Sequence, residues 1–217
     1  MVATSRYRRP ELDYSSNRTT NINKQQLGSV NSVNSLMFCK PQITKVVSSI
    51  GLVIDTAATI PPKVYFIDSK ENYNILAYSF HRGSGKFIDK SKIVFNWKKQ
   101  KMVGYPRRLT VDKDGNLWVP LYDGHGVIQV NPKNKEIIKF IPIPAHRVGA
   151  CTFGGANFDI LFVSTIGYGH GNDRKQRPPK DEGGSIFALM GLGVQGWPPQ
   201  PFKLGIFPAP KNDIVKI

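Results

Sequence analysis

The sequence predicts an all-β protein assembled from β-propeller blades, and three observations carry that prediction. Short apolar runs are separated along the chain by turn residues, and no stretch shows helix-length periodicity. Glycine (20) and proline (16) are abundant, as suits short strands joined by many tight turns. A four-strand unit also recurs: the aromatic positions Tyr65, Trp118 and Phe162 stand 53 and 44 residues apart. That interval is close to the roughly 40–50 residues of a four-stranded propeller blade. A β-sandwich has many short strands too, but no reason to repeat an aromatic at that spacing.

The clearest unit starts at Pro106. Leu109-Thr110-Val111 alternates as a strand, and Asp112-Lys113-Asp114-Gly115 supplies residues that tolerate a left-handed turn. Asn116–Val119 returns, Asp123-Gly124-His125-Gly126 turns again, and Val127–Val130 is the third strand. Asn131-Pro132-Lys133-Asn134 turns into the fourth, Ile137–Ile141. Val64–Asp68 with Ile75–Tyr78, and Ile160–Ser164 with Ser185–Ala188, take the second and third places in units starting near Gly51 and Ala150. Residues 28–47 are read as outer strands of one more blade, with Val2-Ala3-Thr4 as a remnant inner strand. The expected total is about three and a half blades of an incomplete ring. The expected organisation is a polar insertion over 1–27, a partial propeller over 28–202, and an unstructured Pro- and Lys-rich tail over 203–217.

Composition narrows the function classes. No run approaches the roughly 18 apolar residues of a membrane helix, and two cysteines, Cys39 and Cys151, exclude a disulfide scaffold or a multi-cysteine zinc module. Cys151, between Ala150 and Thr152 in an expected inner strand, reads as a small buried hydrophobe. Met1–Pro10 lacks the apolar segment of a secretory signal, and Glu11 and Asp13 interrupt a mitochondrial pattern, so a cytoplasmic location is expected. The excess of 30 Lys+Arg over 15 Asp+Glu, a net charge of +15, is the one feature that favours an anionic partner. The basic residues cluster at 6–9, 86–108 and 174–180, mostly in loops. Trp97 beside Lys98 and Lys99 has the composition of a base-stacking position, yet no nucleic-acid recognition motif occurs. A solvated basic surface is the simpler account.

Several pieces of the sequence, in order and in register, resemble the regucalcin (senescence marker protein), gluconolactonase and luciferin-regenerating enzyme family. They are Tyr65–Ser69, Asp114–Val119, Gly126–Pro132, Cys151–Gly155, Gly183–Phe187 and Gly191–Gly196. The resemblance covers the family's C-terminal half to two-thirds. It implies a six-bladed propeller with one divalent cation (calcium, zinc or magnesium) on the axis, acting as a Lewis acid in lactone hydrolysis. It also implies a small lactone or sugar acid as ligand.

The family's cation ligands are a Glu from a blade upstream of Met1, an Asn before Gly-Leu, and an Asp after a Pro. In this chain the second place holds Ile50, in Ser48-Ser49-Ile50-Gly51-Leu52, and the third holds Arg107, in Tyr105-Pro106-Arg107-Arg108. A hard cation needs oxygen donors, and neither side chain has one. A guanidinium 4 Å away also repels each positive charge by about 4 kcal/mol at an effective dielectric of 20. The expectation is therefore a degenerate member with no cofactor of its own, no metal ligands and no confident catalytic residue. Two alternatives stay open: an active metal-dependent hydrolase with ligands shifted onto neighbours such as Ser49 or Asp68, and a basic, non-catalytic module for anionic partners.

The remaining candidates lie in turns. Asp68, Ser69, Asp123 and His125 fall at strand ends where a propeller opens its mouth, and are read as pocket-lining, although Asp and Ser there commonly bond local backbone. His81, His146 and His170 stand far apart without metal-ligand spacing. The segment Gly167–Gly184 holds Gly169-His170-Gly171-Asn172-Asp173 but lacks the Lys-Ser/Thr of a phosphate loop, and reads as a long loop near the mouth. No nucleophile elbow or Ser-His-Asp order occurs.

Overall fold

The computed structural model describes residues 41–55, 59–169, 173 and 175–199. Expectations for 1–27, for residues 28–40, for Cys39 and His170, and for the tail lie outside those residues. Twelve strands are described, with a single 3-10 turn at Ser69–Glu71, and they form three antiparallel sheets in chain order. No described helix is long and apolar enough to cross a membrane. The first sheet is β1 (Ser49–Asp55), β2 (Lys63–Asp68), β3 (Ile75–Ser79) and β4 (Lys92–Phe95), paired in that order. The second has a split innermost strand, β5 (Tyr105–Pro106) and β6 (Thr110–Val111), both on β7 (Leu117–Tyr122). It continues through β8 (Gly126–Asn131) to β9 (Glu136–Pro142). The third is β10 (Val148–Gly154), β11 (Ile160–Thr165) and β12 (Ile186–Leu189).

These are the blades that the repeat predicts. Of the extra half-blade only residues 41–47 are described, and they form no strand; the rest lies outside the described residues, among which three sheets are found. The third pairs three strands, and its last starts at Ile186 instead of Ser185. Turn chemistry fixes the strands as expected. Gly115 takes φ +83° in the β6–β7 turn, and Asp123 and His125 take φ +58° in the β7–β8 turn. Asp112 is the most heavily bonded side chain of the second sheet. Its fully buried carboxylate accepts from the amides of Asp114 and Asn116, the Asn116 side chain, Trp118 Nε1 and Gln129 Nε2, at 2.8–3.4 Å.

Strand alternation decides the packing. Tyr65, Ile67, Ile75, Ala77 and Phe95 of the first sheet meet Leu117, Val119, Leu121, Ile128 and Val130 of the second. The second sheet's other face, with Trp118 and Val127, meets Val148, Cys151, Phe153, Leu161 and Val163 of the third. Tyr65, Trp118 and Phe162 each face onward, toward the place of the next sheet. The first two are buried at 2% and 0% exposure, and Phe162 is 36% exposed. Leu52 and Ile54, on the first sheet's outward face, are likewise half exposed.

The innermost strands converge. A Cβ built on Gly51 of β1 would lie 2.7 Å from Leu109 Cδ2 and 3.1 Å from the Arg107 carbonyl oxygen. On the other side Arg108 bridges Ala150 in parallel, and the Cys151 amide donates to Arg108 O at 3.4 Å. Cys151 is buried, and that burial pushes its thiol well above its ordinary range.

Two substitutions follow. Asp112→Ala removes the acceptor of five donors, two of them buried, and is expected to cost about 3–5 kcal/mol in urea unfolding. Gly51→Ala is expected to cost about 1–3 kcal/mol, because one neighbour in the crowded space is backbone. A loss below about 0.5 kcal/mol in either would contradict the packing described.

Candidate functional site

The strand directions place one set of chain segments on a common rim. Ser49 pairs with Asp68, Tyr105 with Tyr122, and Val148 with Thr165, so each innermost strand begins where its neighbour ends. The segments 66–75, 104–107, 122–126, 146–148, 165–169 and 175–184, with Asp173, therefore form one mouth. Arg107 stands at the point of convergence, held by its amide donating to Pro120 O at 2.9 Å. Its guanidinium lies over the Tyr122 ring, 4.4 Å from the centroid. Ile50, one residue before the crowded Gly51, packs onto the apolar cluster between the first two sheets. The two positions that the resemblance assigns to cation ligands thus present a stacked cation and a core residue.

A second arginine joins the first. Arg147, 3% exposed, lies 5.6 Å from the same Tyr122 centroid and 3.9 Å from that of Tyr168. It is paired with Asp173 and also donates to Gly167 O at 3.2 Å. That hydrogen bond from Arg147, with the Lys175 amide, holds the Asp173 carboxyl below its usual range. Asp181 accepts the His146 and Gly183 amides, each at 2.7 Å. The 167–184 loop, read from sequence as solvated, is in its described part pinned to the mouth by these contacts. The sequence reading missed Arg147, which immediately precedes the innermost strand of its unit, whereas Arg107 lies between the two halves of the innermost strand in the unit before.

The four residues read as pocket-lining separate into different roles. Ser69 and Asp123 line one groove of about 700 Å³, with Tyr73, Trp97, Lys98, Lys101 and Tyr105. Tyr73 reaches it through a left-handed φ of +60° and meets Tyr105 at 5.1 Å between centroids. Asp68 is 4% exposed, and its carboxylate accepts the amides of Val47, Ser48 and Lys70 at 2.8–3.3 Å. It caps the 3-10 turn instead of lining the groove. His125 is exposed and leans on His146, 3.6 Å between ring centroids. Trp97 is buried, with Nε1 donating to Gly104 O at 3.0 Å, so it is no free base-stacking platform. His81 bonds locally to Ser84.

Among the described residues, the side chains at the places the resemblance assigns to ligands do not fit a divalent cation. Ile50 has no oxygen, Arg107 repels a cation, and both oxygens of Asp68 are committed to amides. Ser49 lines an apolar cavity on the outward face of the first sheet with Leu52, Ile54 and Phe66. Among the described residues no group of three or more His, Cys, Asp or Glu comes together as a metal site.

Residues 15–167 match the family described as the SMP-30/Gluconolactonase/LRE-like region. The chain belongs to that family. It is 29% identical to regucalcin from Gallus gallus over 140 residues, which is 64% of this chain and 45% of that protein. It is 31% identical to regucalcin from Bos taurus over 138 residues, 64% of this chain and 44% of that one. A solved luciferin-regenerating enzyme superposes with a TM-score of 0.59 at 27% identity, covering 70% of this chain and 48% of the other. A calcium-binding regucalcin from Agrobacterium tumefaciens superposes at 0.56, covering 72% and 49%, and its 18% identity supports the fold alone. The chain spans a little under half the length of the relatives it matches. These neighbours bear out the propeller class read from the repeat.

Asp68 offers a pH test. Burial alone would raise its pKa, but the Ser48, Val47 and Lys70 amides outweigh burial and hold it below the usual value. A depressed folded value contributes stability that is present above the unfolded pKa and lost as pH falls through the folded one. Asp68→Ala is expected to cost about 1–3 kcal/mol at neutral pH in urea unfolding and to lose less stability than the parent between pH 5 and 2, roughly. Equal acid slopes in the two proteins would contradict the capping role.

Proposed function

We propose that this chain is a degenerate member of the SMP-30/gluconolactonase family: a propeller scaffold whose metal-dependent lactone hydrolysis is weak or lost. The observation that carries the reading is Arg107. It stands where the resemblance calls for a carboxylate ligand, at the convergence of the innermost strands and stacked on Tyr122. Lewis-acid polarisation of a lactone carbonyl needs a cation held by oxygen donors within reach of the carbonyl. A guanidinium in that place opposes such an ion by charge and supplies donors instead of acceptors. Ile50, given to the core, removes a second oxygen from the same set.

The reading predicts the outcome of a direct assay. The purified chain, supplied in turn with calcium, zinc and magnesium, is expected to hydrolyse glucono-δ-lactone at the rate of buffer alone, with no effect of chelator. Hydrolysis well above background that chelator abolishes would contradict it.

A further inference from the structure

At the mouth the Arg107 guanidinium has no ion-pair partner among the described residues. Arg147 commits its fork to Asp173 and Gly167. The half-buried Arg107 makes no side-chain hydrogen bond and no ion pair to any described residue, and its guanidinium rests on Tyr122. Each arginine also keeps a buried Nε without a hydrogen-bond partner. Buried donors are ordinarily satisfied, so two unspent ones on neighbouring guanidiniums call for an explanation. The two guanidiniums share one aromatic ring, so two like charges stand close to the same tyrosine. Asp173 offsets Arg147 alone. Of the other carboxylates on the described rim, Asp68 accepts three amides and Asp181 two, Asp123 lines the groove that Lys98 and Lys101 also line, and neither it nor Glu71 or Glu182 forms an ion pair with Arg107.

A guanidinium with an unspent planar fork, backed by a second arginine and walled by tyrosines, matches the two-oxygen geometry of a carboxylate or phosphate. We propose that Arg107, supported by Arg147 and Tyr122, binds a small oxyanion-bearing ligand at the mouth. The proposal rests on the reading that the hub has lost its cation, and adds that the place has changed the sign of what it holds. Arg107 contacts the ligand, and Arg147, its fork spent on Asp173 and Gly167, adds positive charge beside the shared ring.

Calorimetry of the full chain at low ionic strength tests this with three probes: gluconate, inorganic phosphate, and sorbitol as the uncharged counterpart. Saturable binding of gluconate or phosphate, and none of sorbitol, is expected; which anion binds tells a carboxylate from a phosphate source. Arg107→Gln is expected to weaken that binding about tenfold or more, the loss of a charge-assisted contact. Lys133→Gln, an exposed charge in the β8–β9 turn, is expected to leave it unchanged. Should Arg107→Gln fail to fold, Arg107→Lys carries the test, keeping the charge, losing the fork and weakening binding less. Absence of binding by both anions, or equal losses in the Arg107 and Lys133 variants, overturns the proposal. If the chain also fails to hydrolyse lactone, the degenerate reading stands without it. Chelator-sensitive hydrolysis by the same preparation removes the reading and the proposal together.

Discussion

The close approach of the innermost strands is the constraint on which the rest of this structure depends. Gly51 has no side chain because a Cβ there would meet Leu109 and the Arg107 carbonyl. Arg108 and Ala150 bridge directly on the other side. Strands that come this near to one another admit little except backbone, so whichever residues flank the contact are delivered to the hub. Arg107 is delivered in this way. Its position follows from the packing of the strand that carries it.

Face-to-face packing of the sheets makes that convergence stable. Each sheet presents one alternating set of apolar residues to its predecessor and the other to its successor, which gives two separate clusters instead of one central core. Within the second sheet Asp112 ties the β6–β7 turn to Trp118 and Gln129, and so couples turn geometry to a residue buried between the second and third sheets. The rim inherits its rigidity from these layers. Arg107, Arg147 and Tyr122 all stand within a residue or two of strands whose side chains are locked by packing.

What was legible in the sequence is what depends on local chemistry. The Asp-Gly and Asn-Pro turns, period-2 alternation and the recurring aromatic marked the strands and their order, because each is decided within a few residues. The role of Asp68 was visible only as a choice between lining a pocket and capping a turn, and three amides decide it, two of them some 20 residues away. The Arg147–Asp173 pair, the tilted contact of His125 with His146 and the burial of Trp97 depend on which loops meet across sheets. Spacing along one chain does not encode that. Arg107 was readable as an anomaly, a cation where a family ligand was expected, but its partner ring and the second arginine needed coordinates.

The same fold thus carries two opposite electrostatic possibilities at its centre. On the proposed reading, a guanidinium resting on a tyrosine opposes the doubly charged ion that inward oxygens would hold. The measurement that bears most directly on this account is a calorimetric titration of the chain with calcium. The account predicts no saturable heat beyond dilution. One-to-one binding with the ion lodged among oxygen ligands beside Arg107 would contradict it.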